Sequence, residues 1–485
     1  MQRTVDEETP LLAESTTKQS TPLPWPQFSI LLVLQLAEPL TSNVISPFTP
    51  QLVRDLGVTQ GVESRVGYYV GLLQSLFFVA EACTVLYWSR TSDQIGRKPV
   101  IMSGLLGLSL SMYCFGLSKT FWGLVLSRSM SGALNGNIGV MKSMVVEITD
   151  STNISKAYAF MPLAWNTGGT LGPMIGGWLV QPVKRFPKVF GGNLFLQEYP
   201  YFLPCAVSAT FSLIAFVVTF FFLNETLPCP IPMRRYFGIS TLQPTVDKWS
   251  TSASNNKIAH SGNKQSKFES RLPIRSLFTP RVIIAAGNYA SVSLVDISFR
   301  TIQPIFFSTP RHLGGLGLPP STIGIILACF GLLNGSAQVL FFARVSNRWG
   351  PRNVFLWGLV LAIPALATFP CISYLSRTQG YTTTLWVIVG LQIVLSIGLC
   401  FCFGAVFIFI ASASPNRASI GATNGISQMM VSVVRAIGPA AASSLFSLSL
   451  DKHYLGGFLV YYVLIALVGI ALYIGSMLPR QVWTD

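Results

Sequence analysis

Twelve apolar stretches run along this chain, separated by polar segments. They cover residues 27–48, 66–88, 99–118, 121–145, 157–180, 201–223, 282–307, 321–342, 353–375, 383–411, 419–449 and 456–478. A helix crosses the hydrocarbon core of a bilayer with about 20 apolar residues, and each stretch is of that order. Only helices and closed barrels satisfy the whole backbone inside lipid. The pattern therefore predicts an all-α membrane protein with twelve transmembrane helices. One long polar interruption, 228–281, divides the spans six and six. Its segment TSASNNKIAHSGNKQSKFES is rich in Ser, Asn and Lys and has no apolar period, as expected of a disordered linker. The expected organisation is a tail over 1–26, a six-helix bundle over 27–223, a linker over 224–281, a second bundle over 282–478 and a tail over 479–485.

Composition agrees. Hydrophobic residues make up 51% of the chain and charged residues 11%, against about 25% charged in soluble domains. The formal charge of +15 has a membrane explanation in place of nucleic-acid binding, because cytoplasmic loops collect Lys and Arg. The stretch 228–281 carries nine such residues against Asp247 and Glu269, and loops 89–98 and 343–352 are basic as well. Both termini are therefore expected in the cytoplasm, with Lys184, Arg185 and Lys188 as the exception. No cleavable signal peptide precedes the first span. Seven of the eight cysteines lie within spans and Cys229 just past one, so apolar packing is expected and not a disulfide framework. The three histidines fall in loops without a zinc-type cluster, and no metal site is expected. There is no phosphate-binding G-x-x-x-x-G-K-[ST] loop and no nucleophile–base constellation. ATP-driven pumps and enzymes are set aside.

The halves repeat. SRTSDQIGRKPV at 89–100 corresponds to ARVSNRWGPRNV at 343–354, with Gly96 opposite Gly350. GGTLGPMIGG at 168–177 corresponds to RAIGPAA at 435–441, and Glu38 with Pro47 corresponds to Asp296 with Pro304. Two parallel six-helix repeats around a central site form a transporter architecture.

These motifs resemble the major facilitator superfamily, and more narrowly its twelve-span drug:proton antiporter branch in the fungal and plant zinc-induced-facilitator-like group. SDQIGRKPV resembles the family's loop signature through Asp93, Gly96, Arg97 and Lys98, with Ser89 in place of its leading Gly and Gln94 in place of an Arg. LSRSMSGALNG resembles the fourth-span signature, with Arg128 in its arginine position. GGTLGPMIGG resembles the antiporter signature through Gly168, Gly172, Pro173, Gly176 and Gly177. The resemblance implies two pseudo-symmetric bundles, alternating access, a cytoplasmic gate at Asp93, Gly96, Arg97 and Lys98, and a proton-relay role for Arg128.

Charges inside spans cost roughly 2.5–3.5 kcal/mol each on insertion scales, so they face a cavity or a partner. Gln35, Glu38 and Ser42 share a face of the first span, Gln74 and Glu81 of the second, and Arg128, Asn135 and Lys142 of the fourth. Asn288, Asp296, Arg300 and Gln303 share a face of the seventh. Glu38, Glu81, Arg128, Asn135, Asp296 and Arg300 are the candidates for proton coupling and the substrate cavity. The bland reading of each is a structural ion pair or a charge that snorkels to the membrane edge. Asp296 and Arg300, four apart, either neutralise each other or form a breakable gate pair. Arg435, one turn before Gly438–Pro439, reads equally as a membrane-edge charge. With no histidine in a span, a carboxylate must carry the proton: Glu81 first, because its own span offers no cation, then Glu38. Arg128 is expected to hold a carboxylate or a substrate dipole. The pairs Phe77–Phe78 and Phe306–Phe307 border polar stripes and offer apolar walls for a ligand. In the antiporter signature, small residues allow close helix approach, which serves either packing or the sealing of a leak.

The expected function is a proton-coupled exporter of small amphipathic organic compounds, such as xenobiotics or fungal secondary metabolites. It would draw on the proton gradient and hold no cofactor. A zinc-chelator exporter, an uncoupled facilitator and a non-transporting receptor are the rivals. Expected partners are the bilayer, a small-molecule substrate and protons, with no nucleic acid, and the protein is expected to be a monomer. Glu7 with Leu11 and Leu12 forms an acidic dileucine pattern that a sorting adaptor would read. The vacuolar and plasma membranes are the two expected locations.

Overall fold

The computed structural model describes residues 21–150, 153–227, 278–414 and 420–483. The dileucine pattern at Glu7, Leu11 and Leu12, the basic linker stretch and Cys229 lie outside these residues. Among the described residues every regular element is a helix. The first bundle contains α1 (Trp25–Val44), α2 (Thr49–Asp55), α3 (Val66–Ile95), α4 (Arg97–Leu117), α5 (Phe121–Leu134), α6 (Asn137–Ile148), α7 (Ile154–Leu179) and α8 (Phe202–Phe222). The second contains α9 (Pro280–Ser308), α10 (Pro320–Trp349), α11 (Pro351–Thr378), α12 (Thr383–Ala413), α13 (Ile420–Asp451) and α14 (Leu459–Ser476).

Sequence punctuation sets the helix ends. Proline at the first helical positions starts α9, α10 and α11, where its missing N–H has no partner to lose. The hydroxyls of Thr120, Thr279 and Thr382 cap α5, α9 and α12 by accepting from the amide three residues on. Gly96 and Gly350 take φ of 108° and 81° and divide α3 from α4 and α10 from α11. The two repeated loops thus turn on glycines in backbone territory that side chains disfavour.

Nine described helices are long and apolar enough to cross a membrane singly, and ten if α1 and α2, bent by 47°, count as one span. The pair α5–α6 and α7 occupy the two remaining expected positions. α3 and α10 run seven residues past their apolar stretches, to Ile95 and Trp349. The fourth span is a correction: it is not one continuous helix, and Arg128, Asn135 and Lys142 do not share one uninterrupted face. Trp88 of α3 donates its indole N–H to the Ala133 carbonyl at 2.7 Å. Its ring lies where a side chain at position 136 would stand. This wedge ends α5 at Leu134, and α6 restarts at Asn137.

Two seams join the bundles, α7 with α10 and α3 with α13. Glycines of α7 allow close approach on two sides, to α1 within its bundle and to α10 across the first seam. A Cβ on Gly168 would stand 2.7 Å from Pro39 Cβ, one on Gly172 2.9 Å from Asn43 Cβ, and one on Gly177 2.9 Å from Gly324 Cα. The stripe of α7 therefore fits α1 on one side and α10 on the other. Trp122, Leu126, Val339 and Phe221 belong to an apolar outer surface suited to lipid. Phe306 and Phe307 are a second correction. They are at most 2% exposed and pack in the core, Phe306 reaching only a small cavity beside Arg377 and Tyr461.

Candidate functional site

α1 and α3 bring Glu38 and Glu81 together at the seam. Both are buried, at 3% and 7% exposure, and they act on each other electrostatically. Pro39, directly after Glu38, removes one helical hydrogen bond beside the carboxylate. The Asn135 amide stands beside the Glu38 carboxylate and acts on it, but closes no hydrogen bond of ordinary geometry. Lys142 of α6 and Arg435 of α13 lie within electrostatic reach of both carboxylates. So the cation that the second span lacks is supplied by other helices. Lys142 Nζ donates to Gln428 Oε1 at 3.2 Å, from one bundle to the other. The Arg435 guanidinium lies over the Trp165 ring, 5.4 Å from its centroid, also across the seam. Arg435 thus stands at the seam, within reach of both carboxylates. Among the described residues no ion pair closes between the two carboxylates and the two cations.

The other sequence candidates fall elsewhere. Asp296 and Arg300 pair with each other on α9, Nε to Oδ2 at 2.8 Å, and the guanidinium lies 4.9 Å from the centroid of Phe330. The partly exposed pair belongs to the second bundle. Its expected companions are taken up in packing: Asn288 donates to the carbonyls of Ile284 and Ile474, and Gln303 to Gln392. Of the two partners expected for Arg128, a carboxylate is not met among the described residues. Arg128 is 3% exposed, donates to the Leu73 carbonyl at 3.4 Å and lies 4.8 Å from the centroid of Phe77. The break at Asn135 separates it from the α6 charges.

The loop signature builds a compact network. Arg97 pairs with Asp93 at 2.5 Å and with Glu147 of α6 at 3.0 Å. The Glu225 carboxylate accepts from the amides of Arg97 and Lys98 at 2.8 and 3.0 Å. It caps the N-terminus of α4, where orphan amides and the helix dipole favour an anion. Gly96 leaves room for it: a Cβ there would meet the Glu225 carboxylate. The Lys98 ammonium reaches the Phe220 carbonyl, and Thr226 donates to Glu147. Glu147 and Glu225 escaped sequence reading because both lie far from the signature along the chain. Their one signal is that they are acidic residues at span ends near a basic loop.

On the face opposite the termini, Arg54 of α2 forms a second, unpredicted link. It pairs with Glu63 at 2.8 Å and donates to the Ser308 carbonyl at 2.9 Å. A cation from the first bundle thus closes the C-terminal end of α9 in the second. Close by, Ser64 donates to Asp451, the last residue of α13, at 3.3 Å.

Comparison with known proteins agrees with this architecture. The chain is 29% identical over 487 residues to the major facilitator-type transporter psiT2 of Psilocybe cyanescens, covering 95% of this chain and 92% of that one. It is 29% identical to the major facilitator superfamily multidrug transporter mfsB of Aspergillus fumigatus, over 88% of this chain and 79% of that one. It is 28% identical to the protein ZINC INDUCED FACILITATOR 1 of Arabidopsis thaliana, over 93% and 91%. Among solved structures, a bacterial homologue of the human lysosomal transporter Spinster superposes with a TM-score of 0.66 at 15% identity, over 94% of this chain and 97% of that one. That likeness shows the fold. The family model described as Major Facilitator Superfamily matches residues 31–313 and again 283–483, and the chain belongs to that superfamily.

Proposed function

We propose that this transporter exports small amphipathic organic compounds by exchanging them for protons. The observation that carries the reading is the pair Glu38 and Glu81, buried at the seam and closed into no ion pair among the described residues. A buried carboxylate without a donor is costly while charged. A cycle that alternately wets and dries such a group gives it reason to take up and release a proton. Relatives named as a multidrug transporter and an efflux pump support export as the direction. A second reading, export of a zinc chelator, is supported by the zinc-induced facilitator relatives.

The test is flux in liposomes with an imposed pH gradient, with amphipathic amines, indoles and a zinc–chelator complex offered in turn. Antiport requires that one compound collapses the gradient with the parent and not with Glu81→Gln. Equal passage of labelled compound with and without the gradient would establish an uncoupled facilitator instead.

A further inference from the structure

The charges at the seam balance in sign but do not close in geometry. Glu38 and Glu81 contribute two carboxylates, and Lys142 and Arg435 two cations. Each set lies within electrostatic reach of the other, yet no ion pair forms between them among the described residues. Lys142 is held by Gln428 and Arg435 by the Trp165 ring, which keeps both cations back from the carboxylates. Glu38 and Asn135 are buried beside each other, and neither side chain closes a hydrogen bond of ordinary geometry. Buried polar groups of this kind are normally satisfied, so the arrangement lacks a partner.

The sign pattern restricts that partner. A site for a simple organic cation needs only the carboxylates, and two cations beside them would repel the ligand. A site for a simple anion fails for the opposite reason. Discrimination by a repulsive element is as effective as discrimination by an attractive one. A molecule with both signs satisfies all four groups. We propose that the seam cluster binds a zwitterionic amphipathic compound with an aromatic body. Its ammonium group faces Glu38 and Glu81, its acidic group faces Lys142 and Arg435, and its ring lies in the neighbourhood of Trp165. The Asn135 amide serves the ligand's remaining polar atoms. Lys142 and Arg435 reach the seam from different bundles, so such a ligand would itself join the halves. This inference rests on reading the cluster as the transport site.

The test is calorimetric binding to purified full-length protein in detergent, which needs no ion gradient. Four probes share a benzene ring: phenylalanine and 4-(aminomethyl)benzoate as zwitterions of two charge spacings, phenethylamine as the cation, and 3-phenylpropanoate as the anion. One zwitterion should bind about ten-fold or more tightly than either singly charged probe, as expected when a buried group loses its partner. Glu81→Gln should weaken the zwitterion and the amine and spare the anion. Arg435→Gln should weaken the zwitterion and the anion and spare the amine, while Arg435→Lys keeps the order. Matching thermal melts identify variants that remain folded. Equal affinity for phenethylamine and the zwitterions, or binding of none of the four, overturns the proposal. Gradient-driven flux of a plain amine with no zwitterion preference would sink this inference and leave antiport standing. A zwitterion preference without proton coupling would do the reverse.

Discussion

At the scale of single residues, Glu225 shows how one carboxylate holds a loop signature in shape. It receives two consecutive backbone amides at the start of α4, and Gly96 provides the space. Loss of a side-chain cap costs roughly 0.5–2 kcal/mol. Glu225→Ala should therefore lower the melting temperature in detergent, and Glu225→Gln, which keeps an acceptor oxygen, should lower it less. An alanine variant that melts with the parent would show the cap to be idle. Lys119 makes a contrasting case. Its hydrogen bond to Glu198 holds the ammonium above its ordinary value, yet both partners are exposed. Exposed pairs of this kind contribute little to stability. Lys119→Gln should melt with the parent, which differential scanning fluorimetry would check.

At the scale of helices, neighbouring glycines of one motif play different parts. A Cβ on Gly168 would press on Pro39 and on the Leu40 amide at 2.7 and 2.9 Å, whereas one on Gly169 meets nothing within 4 Å. Overpacking costs about 1–3 kcal/mol, while Gly→Ala in an open helix position gains up to about 1 kcal/mol. Gly168→Ala should destabilise and Gly169→Ala should not, as thermal melts of the two variants would report. Destabilisation by both would remove the distinction. Much of the helical framework was legible in the sequence, because apolar run length alone marks a span in lipid. The break in the fourth span was not. Asn135–Gly136–Asn137 only weakens the helix there, and the indole that fills the gap arrives from position 88. The site was half legible for the same reason. Glu38 and Glu81 stand out as charges on apolar faces, whereas their company of Lys142 and Arg435 is a product of tertiary packing.

At the scale of the whole molecule, the bundles meet along the glycine seam and at polar points on the face opposite the termini. Arg54 and Ser64 hold the ends of α9 and α13 there. If these contacts keep that face shut, Arg54→Ala should raise the labelling rate of Thr301→Cys by a membrane-impermeant maleimide several-fold. Thr301 is buried and hydrogen-bonded to Gln74 across the other seam. The background for this measurement replaces the exposed cysteines Cys83, Cys114, Cys329 and Cys371. An unchanged rate would remove Arg54 from any role in access.

The repeat has also diverged in one respect. Arg54, after the first span, reaches into the opposite bundle. Arg311, its counterpart after the seventh, turns back to the Ser376 carbonyl of its own bundle and lies over Tyr381. One arm is a clasp between bundles and the other a brace within one. A chimera built from two copies of the second bundle would carry two braces and no clasp. The two halves of this molecule repeat in outline and differ in what this arginine holds.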